Sequence, residues 1–168
     1  MANNLPKEIL ELICEDKVVE ILDFHRSGDQ VFQIGEKYVL KVSSNVISLD
    51  EEKKRNDLFH SYLPTPKSVL FIIFDDKAYY LKEYLPGKPL CHNDYLARPE
   101  FIIDMLAKAN NMIHNIDISN CPFISNYSVG NQIIHGDLCL PNILINNDEI
   151  SGIIDLDSAG IGDPYYDY

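Results

Sequence analysis

Apolar positions along this chain recur first with a helical and then with a strand period. Leu5, Ile9, Leu12 and Ile13 share one face of a helix predicted over Leu5–Asp16, with Asn4 as cap and Pro6 in the first turn. Strands follow at Lys17–Phe24, Gln30–Ile34 and Lys37–Val42, the last two joined by a tight turn at Gly35-Glu36. Ser48-Leu49-Asp50-Glu51 reads as a capping box that opens a helix running to about Tyr62, with Leu58, Phe59 and Tyr62 toward a core. Ser68–Phe74 and Ala78–Tyr84 read as a hairpin over Asp75-Asp76-Lys77. The sum is a small antiparallel sheet of about five strands with a helix on it. Glu83-Tyr84-Leu85-Pro86-Gly87 breaks the pattern. A long helix from Pro99 to about His114 then turns Ile102, Met105, Leu106, Ala109 and Ile113 to one side. The expected class is α+β in two lobes, residues 1–85 and 86–168.

The end of the chain carries most of the chemistry. Ile143–Ile145 and Ile150–Ile154 are short apolar runs flanking Asn146-Asn147-Asp148-Glu149, which is turn chemistry. A tight hairpin returns Asp155 beside Asn142, which follows Asp137 by five residues. Two carboxylates and an amide at one mouth suit phosphoryl transfer, which asks a protein for positioning and charge neutralisation. Asp137 can orient a hydroxyl and accept its proton, and Asn142 and Asp155 offer hard oxygen ligands to Mg²⁺. Read as isolated pieces, the same residues are two turns with polar caps.

HGDLCLPN followed by GIIDLDSAGIGDPYYD resembles the aminoglycoside phosphotransferase family, antibiotic kinases of protein-kinase-like fold. The resemblance implies that Asp137 is the catalytic residue and that Asn142 and Asp155 are the metal ligands. It implies that His135 and Gly136 shape the loop, and that Asp163 and Asp167 form an acidic motif more structural than chemical. A His-x-Ile-Asp sequence like that of His114–Asp117 is also found in the family.

Upstream, Lys41 is the one charge inside the apolar run Tyr38–Val42. It is either a solvent-facing lysine on a half-buried strand or a lysine that holds phosphates. The resemblance favours the second and pairs it with Glu52, Glu51 being taken by the cap. The pair is expected to be partly exposed, with little effect on folding. The loop containing Ser27 and Gly28 can lay N–H groups over phosphates or be an ordinary hairpin turn. The extended segment Glu83, Tyr84 and Leu85 can offer backbone groups to a purine whose slot includes Val39. The cofactors implied are ATP, or GTP, and Mg²⁺.

The chain departs from the family pattern in three places. Only Phe123–Ile134 separates Pro122 from His135, where the family has several helices. The family continues past the last acidic motif, and Asp157-Ser158 stands where many members have glycine and a basic residue. The expectation is a truncated, internally shortened copy with a reduced second lobe. Apolar surface left exposed would favour self-association, and nucleotide binding would outlast aminoglycoside phosphorylation. The function expected is phosphoryl transfer to a hydroxyl of a small polar molecule, foremost an aminoglycoside. Another small-molecule kinase, or a remnant that binds nucleotide without turnover, are the alternatives.

Composition narrows the partners. A formal charge of −12 in 168 residues argues against nucleic acid and suits a cationic small molecule. Cys14, Cys91, Cys121 and Cys139 show neither zinc spacing nor a disulfide framework, so a reducing cytoplasmic setting is expected. No apolar run approaches membrane-spanning length, and no membrane partner is expected.

Overall fold

The computed structural model describes residues 5–13, 18–21, 29–125 and 129–167. The chain divides into two compact units, one ending at Tyr84 and lacking residues 54–66, the other made of Lys54–Pro66 and the chain from Leu85 onward.

The first unit is built on helix α1 (Lys7–Ile13), strands β1 (Val18–Ile21), β2 (Gln30–Ile34) and β3 (Tyr38–Ser43), the start of helix α2 (Val46–Phe59), and strands β4 (Ser68–Phe74) and β5 (Lys77–Glu83). The five strands pair antiparallel in the order β1-β2-β3-β5-β4. Register decides which residues share a face. Phe32 lies opposite Leu40, and Leu40 opposite Leu81, so these form one apolar row. Ile9 and Ile13 of α1 cover that row together with Ile34, Val42 and Tyr79. Each such side chain, fully buried, contributes roughly 1.5–3 kcal/mol. Leu12, expected on the same stripe, is 41% exposed. The helix is short, and its inward face holds only the i, i+4 pair Ile9 and Ile13. The opposite face of the sheet turns Ala78 and Tyr80 to Leu49 of α2.

Two turn details differ from the sequence reading. Asn45, not Ser48, caps α2: its Oδ1 accepts from Ser48 N at 3.1 Å. Asn45 is itself fixed, since its N–H donates to Ser43 Oγ at 3.0 Å. The helix also ends at Phe59, and Tyr62 is 48% exposed. Beyond Phe59 the backbone tightens, with Tyr62 N donating to Phe59 O, and the His60 ring bonds Thr65 O at 2.9 Å. Asp75 and Asp76 both have positive φ (50° and 56°), as a two-residue hairpin turn of right-handed twist requires.

The second unit contains β6 (Lys88–Pro89), α3 (Asn93–Leu96), α4 (Pro99–His114), β7 (Gln132–Ile134), β8 (Ile143–Asn146), β9 (Glu149–Ile153) and β10 (Gly160–Gly162). One sheet has the order β6-β8-β9, and β7 pairs with β10. Ala109 and Ile113 of α4 pack into a core with Ile133, Ile143, Ile145 and Ile153, and Ile102, Met105 and Leu106 pack against it. The hairpin strands therefore have partners within this unit. Phe59 and Leu63 complete the core, and Ile153 N donates to Pro64 O at 2.9 Å. Arg55 reaches Ala159 O at 3.0 Å, with its guanidinium 4.8 Å over the Phe123 ring. Exposed apolar side chains do occur here, among them Ile103, Ile124, Val129 and Tyr165. Among the described residues no helix is long and apolar enough to cross a membrane.

Candidate active site

In the second unit, strands β8 and β9 are joined by Asn147 and Asp148 at φ 53° and 60°. Ile143 lies opposite Ile153, and Ile154 N donates to Asn142 O at 3.0 Å, so Asp155 starts beside Asn142. Asn142 is buried, and its Nδ2 donates to the carbonyl of Asp137 at 3.0 Å. With the amide nitrogen committed, Oδ1 is the acceptor that Asn142 can present. Asp137 is exposed and Asp155 half-buried. Asn142 is thus bonded to Asp137 directly and to the residue before Asp155 through the backbone, which brings the three together.

The loop is held from behind by Asp167, whose side chain is 0% exposed. Its two oxygens accept from His135 N at 2.7 Å and Gly136 N at 2.9 Å. His114 Nε2 lies 3.5 Å from Oδ2 of the same carboxylate. Asp163 starts the short helical turn that carries Asp167, accepting from Tyr165 N at 3.0 Å. Gly136 has φ +81°, and a Cβ there would lie 2.7 Å from Ser158 O. His135 is fully buried, and its Nε2 is 3.0 Å from Ile154 O. That contact sits one residue before Asp155, which has φ +66°, uncommon for a residue with a side chain.

Among the described residues no three His, Cys, Asp or Glu side chains cluster as a metal site. The donors present are an amide oxygen and a carboxylate. These hard oxygens fit Mg²⁺, which keeps several waters and binds through one or two carboxylates plus phosphates.

In the first unit, Lys41 and Glu52 meet at 2.7 Å, and their side chains are 10% and 4% exposed. The pair is buried, not partly exposed as expected, because α2 lies over the strand face that carries Lys41. A third group joins it: Lys82 Nζ is 2.9 Å from Glu52 Oε1. Asp29 lies 3.6 Å from Lys41. Burial alone would raise the Glu52 carboxyl. The charges of Lys82 and Lys41, with their hydrogen bonds, overcome it and lower the value from 4.5 to about 2. A depressed carboxylate adds stability that is complete above its unfolded value near 4.5 and lost as pH falls toward 2. Glu52→Gln should therefore cost roughly 3–5 kcal/mol at neutral pH, the scale for breaking a buried pair. In denaturant titrations the gap to wild type should narrow below pH ~4.5, and a gap that is constant down to pH ~2 would contradict the assignment.

Val39 is half-buried and shares a face with Lys41, opposite Lys82. Glu83 N donates to Lys67 O at 2.9 Å and Tyr84 N to Lys37 O at 2.7 Å, so the fold itself uses both N–H groups. Leu85 is half-buried in the second unit. Ser27 and Gly28 lie outside the described residues. Sequence reasoning missed Lys82, whose only signal was its even spacing from Tyr80 on an alternating strand.

The phosphotransferase enzyme family model matches residues 125–168, which contain the Asp137, Asn142 and Asp155 loop and the Asp167 tie. An aminoglycoside 3'-phosphotransferase of Niallia circulans is 24% identical over 98% of this chain and 80% of its own length. A probable aminoglycoside 3'-phosphotransferase of Lactococcus lactis is 25% identical over 90% of this chain and 74% of its own. Among solved structures, a thermostable mutant of aminoglycoside phosphotransferase APH(4)-Ia in complex with ADP and hygromycin B superposes with a TM-score of 0.73 at 18% identity, covering 96% of this chain and 73% of that one. That likeness carries the fold. With the family match at residues 125–168 and the relatives, it shows that the chain has the fold of the aminoglycoside phosphotransferases and is similar to them in sequence.

Proposed function

We propose that this chain transfers the terminal phosphoryl group of ATP or GTP to a hydroxyl of an aminoglycoside. The observation that carries the reading is the juxtaposition of Asp137, Asn142 and Asp155, through the Asn142 bond to Asp137 and the Ile154 bond to Asn142: an exposed carboxylate, an amide with its oxygen left to act, and a carboxylate on a left-handed backbone. Asp137 orients the acceptor hydroxyl and takes its proton on a carboxylate oxygen. Asn142 Oδ1 and Asp155 would hold Mg²⁺, which when bound neutralises the charge of the phosphates. Lys41, set by Glu52, binds phosphate oxygens. Val39 and the backbone of Glu83, Tyr84 and Leu85 border the base, and Ser27 and Gly28 are assigned to the phosphate loop. The names of the relatives favour an aminoglycoside acceptor, and the net charge of −12 favours a polycation.

The test is a phosphotransfer screen of the purified protein with ATP and GTP against a panel of aminoglycosides, amino alcohols and sugars. Phosphate appearing on an aminoglycoside hydroxyl supports the reading. Transfer to another acceptor class would reassign the substrate. Nucleotide binding without transfer to any acceptor would replace the enzyme with a nucleotide-binding protein.

A further inference from the structure

Glu52 holds two lysines, and only Lys41 has a role so far. Lys41 takes Oε2 at 2.7 Å and Lys82 takes Oε1 at 2.9 Å. Asp29 is the second carboxylate near Lys41, at 3.6 Å. The charges of Asp29, Glu52, Lys41 and Lys82 are −1, −1, +1 and +1, and sum to zero. A lysine that binds phosphates must share its ammonium between carboxylate and phosphate oxygens. Were Lys41 the only cation on Glu52, each phosphate contact would strip neutralisation from a carboxylate that is 4% exposed. An uncompensated buried charge is costly.

Lys82 removes that conflict. It stands opposite Val39 on the strand face shared with Lys41. Its ammonium lies 5.0 Å from the centroid of the buried Tyr80 ring, whose hydroxyl is bonded to Ser68 Oγ at 2.6 Å. Ring and carboxylate together fix the head of Lys82. We propose that Lys82 is a positioning residue for nucleotide binding: it keeps Glu52 neutralised so that the Lys41 ammonium can turn to phosphate oxygens. This rests on the functional reading above and deepens it. Lys82 acts through Glu52 and Lys41 and needs no contact with the nucleotide.

The experiment is calorimetric titration of Mg·ATP and Mg·GTP into wild type, Lys82→Met, Lys82→Arg, Glu52→Gln and the Lys82→Met/Glu52→Gln double variant, with a thermal melt of each to check folding. Lys82→Met takes one positive charge from beside Glu52 and should weaken nucleotide binding about ten-fold, the scale of one unscreened nearby charge. Lys82→Arg should stay within about three-fold of wild type, because the charge is kept. Removing the Glu52 charge in the Lys82→Met background should tighten binding again, whereas in the wild-type background it should not. A merely structural lysine predicts the opposite, a further loss in the double variant. If Lys82→Met does not fold, Lys82→Gln against Lys82→Arg carries the same comparison. Wild-type affinity in Lys82→Met, or weaker binding still in the double variant, overturns the inference alone. Wild-type protein that binds neither nucleotide overturns the functional reading, and this inference with it.

Discussion

Asp137→Asn should lower phosphotransfer by at least ~10²-fold, the lower end for loss of a general base, while nucleotide affinity stays within a few-fold. The separation follows from where the carboxylate sits. Asp137 is exposed, and its structural contribution is its backbone carbonyl, which accepts from Asn142 Nδ2. Asparagine keeps that carbonyl and the side-chain volume and removes only the proton acceptor. Stability should change by no more than ~0.5 kcal/mol, as for most exposed substitutions. Steady-state kinetics with a melt of the same preparation decide it. Turnover equal to wild type would remove Asp137 from the mechanism. A large fall in melting temperature would show that the residue is structural.

Asp167→Ala should have the larger effect on folding. The carboxylate is buried, and it accepts from the N–H groups of His135 and Gly136 with His114 close by. Truncation leaves two buried donors unsatisfied, each costing roughly 1–3 kcal/mol. The total, about 2–6 kcal/mol, is a large share of the stability of an ordinary domain. Phosphotransfer should fall with it even in the folded fraction, because the two bonds fix the entry to the Asp137 loop. Asp167→Asn, which can satisfy one donor with its oxygen, should fall between alanine and wild type. Denaturant unfolding at neutral pH measures both, and an alanine variant with an unchanged midpoint would show that the loop is held by other means.

The contrast between these two aspartates shows what a sequence can carry. The hairpin was legible because Asn147-Asp148 sits between two apolar runs, and strand pairing then places Asn142 and Asp155 together without further information. The sheet of the first unit was legible for the same reason, since its strands are long enough for alternation to register. Strands β7 and β10 were not, at three residues each, because so short a run has no period to read. The cap at Asn45 was missed because Ser48 offered the same chemistry three residues later, and only the bonds from Ser48 N to Asn45 Oδ1 and from the Asn45 N–H to Ser43 Oγ separate them. Lys82 was missed for a different reason. A lysine on an alternating strand reads as solvated until the register with Val39 and the position of α2 turn it onto Glu52. The buried setting of Lys41 and Glu52 was underestimated by the same route, since burial depends on an element distant in sequence.

The left-handed backbone at Asp155 has a consequence for ligand entropy. A non-glycine residue at φ +66° stores torsional strain, of order 1–3 kcal/mol, that the surrounding fold must offset. Here the His135 contact to Ile154 O and the Ile154 N–H bond to Asn142 O fix both backbone polar groups of the residue that leads into it. The direction in which the carboxylate leaves the chain is therefore decided when the protein folds, not when an ion or phosphate arrives. Preorganisation of this kind moves an ordering cost from binding to folding, so the affinity of whatever Asp155 holds is set partly by a histidine that never touches it.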